Sequence, residues 1–417
     1  MLRRSHFWLF ALVGLAMPAS AEQVPPLTLR ECYRLALARS EQIAIQQELI
    51  RQTEGRFLQS LSTALPRVSF VSSDKRQDGT GATAFTLRDV PERRFTFSQP
   101  LFSGFKEFAA ISGAGADRRG RLQAKRRAEH LLFVDVADAF HLFLQHQEDL
   151  EALGAVRDAL RGRMEELRQR EGLGRSRPSE VVSAEAQLRR VEAEMELVRR
   201  DHRLACQLLE FLTGRAPIDA VRDDEPDAVL PAGEEDAVAR AALRPDVKAA
   251  EEDWRVAKKE VVVAQSKFWP TVSVEGNYYT KRVGNAADVD WDAMLKVDVP
   301  IFQGGEAVGA TSEARAKARQ AKLQWEQRSR QAELDIRDAY VQLQAALARR
   351  EALKAALDAA EENYRLQTEE YRLNLVSNLD VLQALEQLQD ARRDWIEARH
   401  EAARRFWSLQ VAIGDIP

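Results

Sequence analysis

Few side chains in this sequence stand at spacings that do chemistry. His130, His141 and His146 fall in one helical stretch, and His202 and His400 in two later ones. His141 and His146 are five apart, whereas two ligands on one helix face stand four apart, so no metal site is expected. Carboxylates are plentiful, but they are interleaved with Arg and Lys, as in Glu165-Glu166-Leu167-Arg168, the pattern of a solvated helix face. The sequence offers no glycine-rich phosphate loop and no nucleophile beside a base, so no cofactor is expected and an enzyme is disfavoured. Cys32 and Cys206 both sit in helical patterns and read as packed thiols rather than a disulfide pair. What remains is a pair of turns. Leu173, Gly174, Pro178, Ser179 and Glu180 lie in the first, and Leu375, Val376, Ser377, Leu379 and Asp380 in the second. Gly174 and Asn374 suit the left-handed conformation that ends a helix, and Ser179, with Ser377 or Asn378, suits the cap of the next one. Glu180 and Asp380 then lie near a positive helix end. Leu375, Val376 and Leu379 are apolar residues at a tip, where a contact surface is expected.

These turns sit at the ends of two long hairpins that repeat one another. Pro100-Leu101-Phe102-Ser103-Gly104 returns as Pro300-Ile301-Phe302-Gln303-Gly304, an offset of 200. Val134-Asp135-Val136 then matches Leu334-Asp335-Ile336, Glu180-Val181 matches Asp380-Val381, and Gly214 matches Gly414. So long an internal repeat predicts two copies of one structural unit. From Gly104 to about Gly172, and from Gly304 to about Asn374, there is no proline, and at 1.5 Å per residue each rod is roughly 100 Å long. Each return helix carries apolar residues at alternating spacings of three and four. The first seam runs Val181, Ala184, Leu188, Val191, Met195, Val198, His202, Ala205, Leu209, Leu212. The second runs Val381, Ala384, Leu388, Ala391, Trp395, Ala398, Ala402, Arg405, Leu409, Ala412. This spacing predicts coiled-coil packing of return helix on rod, with Arg405 as a local departure.

Ahead of each rod the period changes. Helical spacing over residues 27–61, with a break at Ser40 and Glu41, gives way to alternation in Pro66 to Phe70 and Arg94 to Ser98, and again from Pro270 to Val274. From Trp291 to Ile301 the alternation puts Trp291, Ala293, Leu295, Val297, Val299 and Ile301 on one face. Asp78-Gly79-Thr80-Gly81 and Val283-Gly284-Asn285-Ala286 separate the members of each pair, so each half supplies one strand hairpin. Four strands do not close on themselves, and lipid does not tolerate an open edge. Strands of about ten residues span a tilted bilayer, with Phe95, Phe97, Trp269, Tyr278, Tyr279 and Trp291 as interfacial aromatics, in a barrel shared between subunits. The alternative is a small soluble sheet. Residues 1–21 read as a secretory signal: Arg3 and Arg4, an apolar core from Phe7 to Met17, and Ala19-Ser20-Ala21 before the cut. Beyond them no apolar run reaches the length of a spanning helix. Charged residues at 30% and aromatics at 7% suit long amphipathic helices, and a formal charge of −4 argues against nucleic acid. The chain divides into a signal peptide (1–21), a first repeat (22–214), a proline-rich linker (215–234) and a second repeat (235–417).

Signal, duplication, a strand hairpin leading through Pro-Leu/Ile-Phe-x-Gly into a rod, and a turn ending Glu/Asp-Val together resemble the TolC-like outer-membrane efflux proteins, over about residues 25 to 415. The resemblance implies a mainly α fold with a membrane β-barrel portion: a homotrimer whose long helical hairpins form an α-helical barrel in the periplasm, and whose four strands per chain make a twelve-stranded β-barrel in the outer membrane. It implies an exit duct fed by an inner-membrane transporter through a periplasmic adaptor protein, with outer-membrane lipid around the strands and the adaptor docking at the two turns. Asp380 matches an acidic position that narrows the periplasmic aperture in relatives, whereas Gln383 and Val376 stand where some relatives have an acidic and a basic residue. The alternative class is a periplasmic coiled-coil scaffold or adaptor with no pore. An adaptor carries one hairpin beside lipoyl-like and barrel domains, whereas this chain has two hairpins and two strand pairs.

Overall fold

The computed structural model describes residues 26–78, 87–218, 220–231 and 233–416. The signal-like stretch and Gly79-Thr80-Gly81 of the first strand turn lie outside them. Two helices, α1 (Leu29–Arg39) and α2 (Glu41–Ser62), lead into strands β1 (Arg67–Arg76) and β2 (Asp89–Ser103), the rod α3 (Lys106–Gly172) and its return α4 (Pro178–Thr213). The order then recurs: α5 (Glu234–Ala239), α6 (Pro245–Gln265), β3 (Thr271–Lys281), β4 (Trp291–Asp298), the rod α7 (Glu306–Arg372) and its return α8 (Asn378–Ile413). Ser40 ends α1 and caps α2, its hydroxyl accepting from the Ile43 N–H, which makes the expected break. Thr28 and Glu31 form a reciprocal capping box that starts α1.

Each rod is 67 residues, about 100 Å of helix. The return helices lie against them through the predicted seams. Val181, Ala184, Leu188, Val191, Met195 and Val198 of α4 join Leu153, Val156, Leu160 and Leu167 of α3 in one core. Each such buried leucine contributes about 2 kcal/mol by leaving water. Leu409 and Ala412 of α8 join Ala332, Ile336 and Leu343 of α7. Arg405 turns out of the seam to Glu401. The α8 seam is wider than its heptads predict: Leu382, Leu385, Ile396, His400, Trp407 and Val411 are also buried, because α8 packs against α3 as well as α7. The described residues between Gly214 and α5 belong to no helix or strand and are pinned where Val221 bridges Leu27 and Arg30 meets Glu225 at 3.0 Å. Cys32 is buried in the upper core, which pushes its thiol up to about 12. The Cys206 thiol lies 3.5 Å from the Ile218 carbonyl oxygen.

The four strands form one antiparallel sheet in the order β1-β2-β3-β4. Its register puts Phe70, Phe95, Tyr278 and Trp291 in one cross-strand row, all exposed, with Phe70 and Phe95 ring centres 5.1 Å apart. On the opposite face runs the polar row Ser69, Thr96, Asn277, Asp292. Tyr279 belongs to this polar face and not to the girdle: its hydroxyl donates to Asp292 Oδ2 at 2.8 Å, and Asn277 donates to Oδ1 at 2.8 Å. A second aromatic group, Phe102, Phe105 and Trp269, gathers where strands meet rods. Nine residues from Trp269 to Tyr278 span about 31 Å along a strand, or about 23 Å across a bilayer at a tilt of about 40°.

Strand β4 stops at Asp298, short of the expected Ile301. In the first half Pro100 to Ser103 pair with Thr271 to Ser273 of β3, whereas the matching residues after β4 have no strand beside them, and Ile301 and Phe302 stand bare. The glycines at the two joints differ in the same way. Gly104 has φ +64°, and a Cβ there would lie 2.8 Å from Trp269 Cβ; Gly304, at φ +58°, faces open space.

Candidate functional site: the hairpin tips

Both tips are closed by the same backbone device. Gly174 (φ 69°) and Asn374 (φ 60°) take the left-handed conformation, and the N–H groups of Arg175 and Leu375 reach back to the carbonyls of Arg170 (2.8 Å) and Glu370 (2.9 Å). The helices that leave the tips start differently. Ser377 caps α8 by a full capping box: the carboxylate of Asp380 accepts from the Ser377 N–H at 2.8 Å and its hydroxyl at 2.6 Å, while the Asp380 N–H donates back at 3.4 Å. These bonds from Ser377 hold the Asp380 carboxyl below the usual carboxylate range. In α4 the fixed φ of Pro178 sets the first helical position, so the cap is Arg177, without a side-chain bond. Ser179 lies inside the first turn and is not the cap. Ser176 takes part instead, donating to Glu180 at 2.5 Å.

Leu173, Leu373, Leu375 and Leu379 are exposed at the tips, as are Gly174, Pro178, Ser179 and Ser377, whereas Val376, Glu180 and Asp380 are half-buried. This is an apolar surface with polar turns around it, at the far end of the molecule from the sheet. A contact between the two tips was not foreseen. Arg163 of α3 lies over the Tyr371 ring at 3.7 Å and donates through Nε to Asn378 Oδ1 at 2.8 Å. Arg170 approaches the same ring at 4.9 Å. The sequence signal was available in the places where the repeats disagree: Tyr371 stands opposite Glu171, Asn378 opposite Pro178 and Arg163 opposite Asn363. No cluster of three or more metal-ligating side chains occurs among the described residues, and no helix among them is long and apolar enough to cross a membrane.

Residues 239–415 match the family model "Outer membrane efflux protein". Nodulation protein T of Rhizobium leguminosarum bv. trifolii is 25% identical over 246 residues, 57% of this chain and 53% of that protein. The chain thus spans about half the length of that curated relative. The fold is shared much further. CusC, a protein whose transmembrane channel formation has been followed in crystals, superposes with a TM-score of 0.81 at 16% identity over 93% of this chain and 92% of its own. The outer membrane protein VceC of Vibrio cholerae superposes with a TM-score of 0.79 at 22% identity, over 93% and 96%.

Proposed function

We propose that the chain is a TolC-like outer-membrane efflux protein, with its helical part in the periplasm, and that it is the exit duct of a tripartite efflux or secretion system. In this reading it is a homotrimer that receives substrates from an inner-membrane transporter through a periplasmic adaptor. As an efflux channel it is a transporter rather than an enzyme.

One observation carries the assembly: the two halves are alike in sequence but unequal in what covers them. Leu382 and Val411 of α8 are 4% and 3% exposed, against the first hairpin, while their repeat mates Val182 and Phe211 of α4 are 65% and 77% exposed. Exposed Leu197, Leu204 and Leu208 continue the bare stripe. The strands match this: β2 is paired on both sides, and its counterpart β4 on one. Gly104 is seated on Trp269, and Gly304 on nothing. For the strands and the joint glycine the first half uses the second as its neighbour and the second half is left bare, whereas for the return helices α8 uses the first hairpin and α4 of the first half is left bare. A ring that sets the second half of one chain against the first half of the next covers β4 and Gly304 on one side of that contact and the α4 stripe on the other, and so satisfies all three at once. It pairs β4 with β1 of the next chain, which closes the barrel and removes the edges that lipid forbids. Three chains give the twelve strands that the family implies. We assign residues 1–21 to a removed signal, 22–214 and 235–417 to the two repeats, and 215–234 to the connection between them.

The tips are then the periplasmic end. Leu173, Gly174, Pro178, Ser179 and Glu180, with Leu375, Val376, Ser377 and Leu379, form the surface offered to the adaptor, and three copies of Asp380 ring the aperture. With its carboxyl held low by Ser377, each Asp380 stays charged at neutral pH, and the ring favours cations over anions. Charge-reversing or bulky changes at Ser377, Leu379 or Asp380 should impair transport or alter conductance and ion preference while leaving the trimer folded. Unchanged efflux and unchanged single-channel currents in such variants would remove the tips from this function.

A further inference from the structure

The contact between the two hairpins is apolar at its ends and polar in its middle. Toward the sheet, the Phe133 and Trp407 ring centres lie 5.2 Å apart, in a core that Val411 joins. Toward the tip, Leu382 and Leu385 enter the α3–α4 core. Between these, charged and amide groups tie α8 to the first hairpin. Gln389 and Arg393 reach Glu194 of α4, the former at 2.9 Å. Arg399 and His400 reach Glu148 of α3, the latter at 3.4 Å. Arg404 donates to Gln145 at 3.1 Å, and Nδ1 of His400 lies 3.5 Å from Nδ1 of His141.

Two groups in this stretch are buried with an atom that meets no hydrogen-bond partner among the described residues: Nε2 of His141 and Oδ1 of Asp149. Burial of a group with an unpartnered atom favours its uncharged form, which for histidine means losing a proton and for a carboxyl means keeping one. Around His141 stand His400, Arg399 and Arg404 of α8 and Glu148 of α3. Asp223, Glu225 and Asp227 of the linker and Arg350 of α7 line the cavity of about 60 Å³ that His141 and His400 also border. Around Asp149 stand His146, 3.9 Å away, with Glu148, Glu194 of α4, and Arg393 and Glu397 of α8. Asp201 and His202 of α4 lie beside His146. Burial, reinforced by His400, Arg404 and Arg399, takes His141 down to about 3. Burial takes Asp149 up to about 6 against the pull of Arg393.

We propose that the α3–α4–α8 junction is a proton-compensated latch: parting α8 from the first hairpin hydrates His141 and Asp149 together, so that a proton taken up by the imidazole is matched by one released from the carboxyl. The consequence is a seam whose cohesion holds steady while the surroundings acidify. Freed into water, His141 returns toward 6.5 and Asp149 toward 3.8. Stability from the buried neutral histidine is present above about pH 6.5 and is lost as pH falls toward 3. The buried carboxyl works in the opposite sense, strengthening the closed seam as pH falls from about 6 toward 3.8. Between about pH 6 and 4 the two changes cancel. Neither group alone would do this.

Hydrogen exchange of α8 peptides spanning residues 389–404, corrected for the intrinsic pH dependence of exchange, reads the opening directly in the purified full-length protein in detergent. Relative to the wild type, Asp149→Asn should open about tenfold more for each pH unit lost between about 6 and 4, and His141→Phe about tenfold less, because one proton per opening changes the equilibrium tenfold per pH unit. Identical pH slopes in the wild type and both variants would overturn the latch. If His141→Phe does not fold, Asp149→Asn decides alone: an added acid sensitivity supports the latch, and a wild-type slope ends it. The readout is local to the seam, so it stands or falls separately from transport.

Discussion

The two return helices occupy equivalent places in a duplicated sequence, yet they live in different surroundings. Both pack on their own rod through one apolar seam. Helix α8 buries a second stripe, from Leu382 through Trp407 to Val411, against the first hairpin, whereas the corresponding stripe of α4 is in water. The difference teaches that a single chain leaves bare on one hairpin the stripe that it covers on the other. A duplicated unit that packs side by side with its copy leaves one unsatisfied face for every satisfied one, and in the proposed ring a neighbouring chain covers the bare stripe on α4.

This contrast can be broken most forcefully at Val411 and Phe211. Val411→Asp puts a charge into a closed core and should cost more than about 4 kcal/mol, seen as loss of the folding transition on heating. Phe211→Asp, at the equivalent position of α4, should leave the chain's helical circular dichroism intact and abolish the oligomer. If Phe211→Asp assembles normally, the equivalence of the two stripes is lost. The joint glycines sharpen the same point with a smaller effect. Gly104→Ala should cost about 2–4 kcal/mol in thermal or denaturant unfolding, from a left-handed φ plus a collision with Trp269. Gly304→Ala carries only the φ penalty of about 1 kcal/mol in an isolated chain; in the assembled particle its cost should rise toward that of Gly104→Ala. The smallest contrast lies at the tips. Ser377→Ala should destabilise the start of α8 by about 1 kcal/mol through the lost cap, whereas Ser179→Ala, which caps nothing, should stay within about 0.5 kcal/mol in the same exchange measurement on the first turn of each helix.

Much of this architecture is written locally and was legible from the sequence. Period-2 alternation in Trp291 to Val297 marks a strand whatever its neighbours, and proline-free stretches with three-four spacing mark the rods and returns. Residues whose state depends on a distant partner were harder. Heptads on α8 reveal the seam to α7, but nothing within α8 tells that His400 faces His141 and Glu148 of α3. Alternation continues through Val299 to Ile301, yet a strand needs a partner there, and the described chain supplies none. Tyr279 reads as an interfacial aromatic until the structure places it on the polar face, bonded to Asp292. Ser179 reads as a cap until the φ of Pro178 moves the helix start. At the tips, the turn residues and the Ser377 cap were legible because capping is local. The Arg163–Tyr371 stack was not, because it joins residues 208 apart by number that only the fold brings together.

The central claim is the closed ring, and the mass and negative-stain outline of the particle extracted from outer membranes in mild detergent test it most directly. The account predicts three chains around a hollow cylinder about 100 Å long, the length of the rods. A monomer, or a solid rod without a lumen, would contradict it.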